Sequence, residues 1–194
     1  MFLIPFAFGL IFVLTGLTEN FDTKVFHWLR ESLAPTLDIP LKVLTILGNP
    51  KSVIAIIVIL LAIPKVNKNI GLPVALVTLA SWILNELTKI IVSRPRPEFM
   101  LFEETSYSFP SGHAMNNTAL YLTILFSLLL IVKNKKVKTV LWAVFTVLPF
   151  LIGFSRVYFG VHYLTDVISG WSLGTFVAIV GFGICRRLFK YERH

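Results

Sequence analysis

The chain has 194 residues, of which 56% are apolar and 14% are charged, and its formal net charge is +8. A soluble domain is about half apolar and about a quarter charged, so a soluble fold of ordinary composition is excluded and a membrane protein is indicated. In a soluble protein this positive charge would suggest a nucleic-acid partner, but here it follows a membrane pattern, and no such partner is expected.

Six apolar runs approach the roughly 20 residues that a membrane-spanning helix needs. In chain order they are residues 2–18, 44–64, 70–92, 112–132, 140–158 and 163–185. The second run is interrupted at Gly48-Asn49-Pro50-Lys51, where Asn49 is placed to cap a helix that begins at Pro50. The predicted fold is therefore all-α, a single domain over residues 1–194 with six transmembrane helices.

Lysine and arginine are concentrated in loops on one side of the predicted bundle, and such loops are cytoplasmic. These residues are Lys65, Lys68, Lys133, Lys135, Lys136, Lys138, Arg186, Arg187, Lys190 and Arg193. This bias predicts a multi-pass protein of the cytoplasmic membrane with both termini inside. The outer segment 19–43 mixes apolar and charged residues and is predicted to lie in the membrane interface.

The first of three polar clusters ends the third run and contains Lys89, Arg94 and Arg96. Two prolines stop the helix, so both arginines lie on extended chain and one can fold back over the helix end. Taken alone, this pattern also fits basic side chains that reach to lipid headgroups. Glu86, about one turn before Lys89, is expected to pair with that lysine.

The second cluster opens the fourth run with the sequence Ser108-Phe109-Pro110-Ser111-Gly112-His113. Ser111 is a predicted helix cap, Gly112 lets the backbone approach a ligand, and the first free N–H groups of the helix would face an anion. His113 stands in the first turn. The alternative is ordinary capping beside an interfacial histidine.

The third cluster joins the fifth and sixth runs and contains Arg156, His162 and Asp166. His162 and Asp166 are four residues apart, which places them on one helix face. The carboxylate can fix the tautomer of the ring and leave its other nitrogen as an outward lone pair. The alternative is a His–Asp pair that only ties two helices together.

Together the clusters supply cations, a helix N-terminus and two histidines on one side of the membrane. Phosphoryl transfer needs neutralised phosphate oxygens, an in-line nucleophile and an acid for the leaving oxygen. The carboxylates in the sequence show no metal-ligand pattern, so neither a metal nor another cofactor is expected.

The three clusters resemble the signature of the type-2 phosphatidic acid phosphatase family, which are integral membrane lipid phosphatases. That signature is Lys, six residues, Arg-Pro; then Pro-Ser-Gly-His; then Ser-Arg, five residues, His, three residues, Asp. This chain matches it at Lys89, Arg96-Pro97, Pro110-Ser111-Gly112-His113, Ser155-Arg156, His162 and Asp166. Arg94-Pro95 offers a second Arg-Pro, but only Arg96 has the right spacing.

The resemblance implies that His162 attacks phosphorus and becomes phosphohistidine, while Asp166 orients it and stabilises the imidazolium. It implies that His113 protonates the leaving lipid oxygen and then helps to activate water. The groups that it implies for holding the phosphate are Lys89, Arg96, Ser111, Gly112 and Arg156.

The small size resembles bacterial members of the family that act on undecaprenyl diphosphate or phosphatidylglycerophosphate. Undecaprenyl diphosphate is favoured, because an outward-facing site suits a carrier released outside and because Arg94 could take a second phosphate. Phosphatidylglycerophosphate and phosphatidic acid stay open as substrates. From other classes, an anionic-lipid transporter and a non-catalytic lipid binder stay open too. The expected partners are the substrate and membrane lipids, and the sequence does not predict an oligomeric state.

Overall fold

The computed structural model describes residues 2–189, and every regular element in this range is helical. The elements are α1 (Ile4–Thr15), α2 (Glu19–Leu33), α3 (Asp38–Leu47), α4 (Pro50–Ala62), α5 (Pro64–Val66), a π-helical turn (Asn67–Gly71), α6 (Leu72–Val92), α7 (Gly112–Ile131), α8 (Lys135–Tyr158) and α9 (Leu164–Leu188). The predicted all-α fold is confirmed.

Four segments are long and apolar enough to cross a membrane. They are Pro64–Val92, Gly112–Ile131, Lys135–Tyr158 and Leu164–Leu188. Their bounds agree with the last four predicted runs to within six residues at every end. These spans were predictable because each is an uninterrupted apolar run of more than four helical turns.

The first two predicted runs belong to bent helix pairs: run 2–18 contains α1, which α2 follows, and run 44–64 contains the end of α3 and all of α4. Helix α1 has 12 residues and is followed by α2 at an angle of 107°, while α3 and α4 meet at 51°. A 12-residue helix is about 18 Å long, which is less than the roughly 30 Å of a hydrocarbon core. Residues 2–189 therefore contain four candidate spans, or up to six if each bent pair is one span.

The residues at the two bends account for them. Helix α1 ends at Gly16, whose φ of 69° is left-handed, a conformation that glycine adopts without strain. Helix α4 begins at Pro50, which cannot continue the hydrogen bonding of α3. Helix α2 and the start of α3 cover the segment 19–43; its place in the outer interface stays a prediction.

Helix α7 forms the centre of the bundle, because it packs against α6, α8 and α9. Met115, Ala119 and Leu125 on α7 have no exposed surface. A helix buried on most of its circumference holds its first turn in a fixed position relative to its neighbours.

Two glycines on α9 bring that helix close to α7. A Cβ on Gly170 would lie 2.8 Å from the backbone oxygen of Ser111, and one on Gly174 would lie 2.4 Å from that of Met115. Small residues four positions apart allow this kind of close helix packing in membranes. The approach places the start of α9 beside the start of α7, where the Ser111 N–H donates to the Asp166 backbone oxygen at 3.1 Å.

The chain connectivity places the three polar clusters at one end of the bundle. The ends of α6 and α8 and the starts of α7 and α9 meet there. The loops that are rich in lysine and arginine join the opposite ends of these helices. Lys190 and Arg193, also predicted to be cytoplasmic, lie outside the described residues.

Candidate active site

His162 lies in the short connection between α8 and α9 and is almost fully buried. Its Nε2 is 3.3 Å from Nη1 of Arg96, and its Nδ1 is 3.5 Å from Oδ2 of Asp166. A guanidinium can only donate, so Nε2 carries the lone pair and Nδ1 carries the proton. This is the tautomer that a nucleophilic Nε2 requires.

Burial sets the protonation state of His162. Burial lowers the pKa of the ring, whereas the hydrogen bond with Asp166 raises it. Burial is the larger effect, and the pKa of His162 is about 4. The positive charge of Arg96 adds to the lowering. The ring is therefore neutral at pH 7 and has a free lone pair.

Ser108 bridges His162 and Asp166. Its hydroxyl donates to Oδ2 of Asp166 at 2.5 Å and lies 3.3 Å from Nδ1 of His162. A hydroxyl that donates in one direction can accept the Nδ1 proton in the other. Sequence analysis assigned no role to Ser108, because a single serine two residues before Pro110 carries no signal of its own.

Arg94 joins the buried carboxylates of Asp166 and Asp22. Arg94 donates through Nη1 to Oδ1 of Asp166 at 2.5 Å and through Nη2 to Oδ2 of Asp22 at 3.1 Å. Its guanidinium also lies 3.9 Å from the centre of the Tyr163 ring. Arg94 is therefore committed to two buried carboxylates. The expectation that it takes a second phosphate has to be revised, since its charge is already paired behind the histidine.

Arg96 and Arg156 converge on the space in front of His162. Arg96 is held by the backbone oxygens of Ser106 and Val161 at 2.6 and 2.7 Å. Arg156 donates through Nη1 to the Thr45 hydroxyl at 2.8 Å, and its Nε has no partner among the described residues. A buried cation that lines the cavity and has an unused N–H is suited to an anion.

Glu104 neutralises these arginines in the structure. Its carboxylate accepts a short hydrogen bond from Arg156 and lies 3.9 Å from Nη2 of Arg96. Burial raises the pKa of Glu104, but Arg156 and Arg96 together lower it below its usual value, so the carboxylate is ionised. Its two oxygens contact the same cations that would bind two phosphate oxygens.

Lys89 and Glu86 lie on the opposite side of the same space. The Lys89 ammonium donates to Oε1 of Glu86 at 3.2 Å and to the Ser106 hydroxyl at 3.3 Å. The Glu86 side chain is 44% exposed, whereas that of Lys89 is 9% exposed. The lysine is thus the buried member of the pair, and Glu86 lies towards the edge of the site.

The start of α7 completes the site with backbone N–H groups. Ser111 is the N-cap, and its hydroxyl accepts from the Ala114 N–H at 3.4 Å. A Cβ on Gly112 would lie 3.7 Å from the Lys89 ammonium, so its absence leaves room beside that cation. A helix N-terminus next to a lysine attracts a phosphate.

Asn49 positions His113. Its amide oxygen is 2.9 Å from Nε2 of His113, and because this oxygen can only accept, Nε2 carries a proton. Asn49 stands at the predicted cap position before Pro50, but its side chain makes no cap hydrogen bond. Sequence analysis could not predict its contact with a histidine 64 residues away.

A cavity of about 660 Å³ connects these side chains to the bundle surface. It lies between α4 and α6, and its polar end contains His162, His113, Lys89, Arg96 and Arg156. Its apolar walls are formed by Val53, Ile54, Ile57, Ala75, Leu79 and Trp82. Several of these wall residues are also exposed on the outside of the bundle, so the cavity opens sideways between the two helices.

Comparison with known proteins decides the family. Residues 70–190 match the PAP2 superfamily. The chain belongs to this superfamily. The matched part includes all three polar clusters and leaves out α1 to α4, so Asn49 lies outside the segment that defines the PAP2 superfamily.

Similar PAP2 proteins have been described from several organisms. Phosphatidylglycerophosphatase B of Bacillus subtilis is 37% identical over 128 residues, and undecaprenyl-diphosphatase of Sulfolobus acidocaldarius is 30% identical over 128 residues. These alignments cover 63% and 62% of this chain but only 62% and 58% of the relatives.

One solved structure matches nearly the whole chain. It is a transmembrane PAP2-type phosphatidylglycerolphosphate phosphatase from Bacillus subtilis, with a TM-score of 0.82 and 30% identity. The match covers 97% of both chains. The bent N-terminal helices are therefore part of a fold that another member of the superfamily shares.

Proposed function

We propose that this protein removes phosphate from a membrane lipid phosphate or diphosphate through a phosphohistidine on His162. One observation carries the proposal. Nε2 of His162, with its lone pair free, lies beside Arg96 at the buried end of a cavity that Lys89 and Arg156 also line. The superfamily and the names of its relatives support a phosphatase reaction.

In the first step Nε2 of His162 attacks phosphorus and the bond to the lipid oxygen breaks. Lys89, Arg96, Arg156 and the N–H groups at the start of α7 neutralise the phosphate oxygens, as metal ions do in other phosphoryl-transfer enzymes. The ring becomes positively charged when it is phosphorylated. Asp166 stabilises that charge, directly and through Ser108.

In the second step water attacks the phosphohistidine and releases inorganic phosphate. His113 gives a proton to the leaving oxygen in the first step, so it is the base that can take a proton from this water. Because the cations already supply the required positive charge, we propose that the reaction needs no metal ion.

The shape of the cavity supports a lipid substrate. Its buried end is cationic and its walls towards the bundle surface are apolar. A phosphorylated lipid can place its phosphate at His162 while its chain leaves between α4 and α6 into the surrounding membrane. A soluble phosphate ester would leave the walls of Ile54, Leu79 and Trp82 without an apolar partner.

We propose that the site faces outwards, because the lysine-rich loops lie at the opposite end of the bundle. Undecaprenyl diphosphate and phosphatidylglycerophosphate are the candidate substrates. The outward orientation supports the first, whereas a second phosphate site at Arg94 no longer does. The relatives carry both activities in their names.

Phosphate release by the purified protein in detergent, with a metal chelator present, tests the proposal. Undecaprenyl diphosphate, phosphatidylglycerophosphate and phosphatidic acid are offered in parallel. Release from at least one is expected, and His162→Gln should abolish it. The matched control is His27→Gln, since His27 is an exposed histidine that does not line the cavity. Folded protein that releases nothing from any lipid would favour an anionic-lipid binder or transporter.

A further inference from the structure

The wall that α6 presents to α7 and to the cavity is polar for more than two turns. Thr78, Ser81, Asn85 and Lys89 follow one another at spacings of three and four residues, so they share one helix face. All four are buried. Polar groups inside a membrane-spanning helix are unfavourable unless they are paired or bind a ligand. Lys89 belongs to the phosphate site, but the other three lie deeper.

Asn85 has an unpaired oxygen whose direction is fixed. Its amide nitrogen donates to the backbone oxygen of Pro110 at 3.2 Å. Exchanging the amide oxygen and nitrogen of Asn85 would place Oδ1 against the Pro110 backbone oxygen, and neither can donate. Oδ1 therefore points away from Pro110. Asn85 is 0% exposed, and Oδ1 has no hydrogen-bond partner among the described residues. Leaving such an acceptor unpaired is unfavourable.

Asn85 stands in the wall of the cavity beside the groups proposed to bind phosphate. Asn85 lines the cavity, and Oδ1 lies 3.0 Å from the point that a Cβ on Gly112 would occupy. The Lys89 ammonium is 3.7 Å from the same point. Oδ1 therefore lies close to the Lys89 ammonium and to the start of α7, two of the groups proposed to bind the phosphate.

Thr78 continues the same wall away from the phosphate. Its hydroxyl is buried, lines the cavity and also has no partner among the described residues. Ser81, between the two, is paired, because its hydroxyl donates to Oδ1 of Asn116 at 2.8 Å. Two unpaired polar atoms on one wall indicate that it faces polar ligand atoms as well as hydrocarbon.

We infer that Asn85 accepts a hydrogen bond from a free hydroxyl on the leaving alcohol, next to the carbon that bears the phosphate. This inference rests on the proposed function and names the substrate class. A glycerol headgroup, as in phosphatidylglycerophosphate, has such a hydroxyl. An isoprenoid diphosphate has only oxygen acceptors at this distance from the reacting phosphorus, so it leaves Oδ1 unpaired. Asn85 thus selects a glycerol-bearing lipid phosphate.

The test compares two substrates in three proteins. The substrates are phosphatidylglycerophosphate and the analogue in which the headgroup hydroxyl is replaced by hydrogen. The proteins are the wild type, Asn85→Leu and the control Asn117→Leu, and kcat/KM is measured for each pair in detergent. The wild type is expected to prefer the hydroxyl by on the order of tenfold to a hundredfold, the effect of leaving one buried acceptor unpaired.

The variants separate hydrogen bonding to the substrate from support of the Pro110 loop. Asn85→Leu should reduce the preference to about twofold or less. Asn117→Leu is the matched control. Asn117 also has a buried unpaired Oδ1, but it does not line the cavity, so its substitution should leave the preference unchanged.

Three results would overturn the inference. Equal rates of the wild type on both substrates would show that no hydroxyl is recognised. An equal loss on both substrates in Asn85→Leu, with the preference kept, would make Asn85 a support for the Pro110 loop only. Release from undecaprenyl diphosphate but not from phosphatidylglycerophosphate would keep the proposed phosphatase and refute the glycerol class, whereas no release from any lipid would remove both.

Discussion

Replacing Arg94 and Arg96 separately with methionine should affect different properties of the protein, although the two residues stand two positions apart. Arg94 bonds to two carboxylates, of Asp22 and Asp166, whose side chains are 0% exposed. Arg96 bonds mainly to neutral backbone oxygens and faces the lone pair of His162. The first substitution removes a buried counter-ion, and the second removes a phosphate ligand.

The expected magnitude for Arg94→Met follows from its partners. Breaking a buried ion pair by removing one member is unfavourable by about 3–5 kcal/mol, because the other charge stays buried. Here two carboxylates lose their shared cation. For a chain of this size 1 kcal/mol corresponds to about 2–4 °C in Tm, so Tm should fall by about 6–20 °C.

Arg96→Met should change Tm by less than half as much, because the carbonyl oxygens that it leaves can be hydrated. Its effect is on catalysis. Removing one preorganised donor from a developing anion lowers kcat by about 10²–10³-fold, and the lost positive charge adds to this. Arg94→Met protein that is still folded should keep more activity than Arg96→Met, since it keeps every group that borders the cavity.

The assay measures thermal unfolding in detergent and phosphate release at a temperature where both variants are folded. Equal Tm values for the two variants, or a deeper loss of activity in Arg94→Met without a loss of Tm, would refute the reasoning. Arg94 would then belong to the phosphate site, as the sequence alone suggested.

Three further predictions concern single groups. Ser108→Ala should keep the fold and lower kcat by about 10–100-fold, which is less than the ~10⁴-fold loss expected when the carboxylate itself is removed. Ser108→Thr keeps a hydroxyl and should restore most of the rate. A normal rate in Ser108→Ala would show that Asp166 acts on His162 without the Ser108 bridge. The pKa of His162 near 4 predicts that kcat/KM falls as the pH drops through about 4, because protonation removes the lone pair. The pH profile is first corrected for ionisation of the substrate phosphate. A fall of kcat/KM near pH 6.5, the pKa of an ordinary histidine, would contradict this prediction. Glu104→Gln should strengthen competitive inhibition by inorganic phosphate by about tenfold, or 1.4 kcal/mol, because it removes a carboxylate that competes with phosphate for Arg156. Weaker inhibition in this variant would mean that Glu104 holds the arginines in place instead.

The last four spans could be predicted from hydrophobicity because their apolar runs are continuous. The break at Pro50 was also predicted, and α4 begins there, but the bend at Gly16 and the angle at either break were not. The angle between two short helices depends on what each packs against. Helix α1 packs against α9 and α3 against α8, whereas α4 packs against the π-helical turn and α6.

The site was predictable in its charged members and histidines but not in their neutral partners. Spacing on a helix relates His162 to Asp166, and ion-pair logic relates Lys89 to Glu86. No spacing relates Ser108 or Asn49 to a histidine more than 50 residues away, because only tertiary packing brings them together. The different directions of the neighbouring side chains of Arg94 and Arg96 likewise depend on the fold and not on local sequence.

Direct observation of phosphohistidine tests the central claim. His113→Ala should form the intermediate from p-nitrophenyl phosphate, whose leaving group needs no proton, and should then hydrolyse it slowly because the base is absent. Quenching under alkaline conditions and peptide mapping should show one phosphoryl group on His162, and none in the variant that also carries His162→Ala. Release of p-nitrophenol without phosphate on His162, or with phosphate on another residue, would contradict the account.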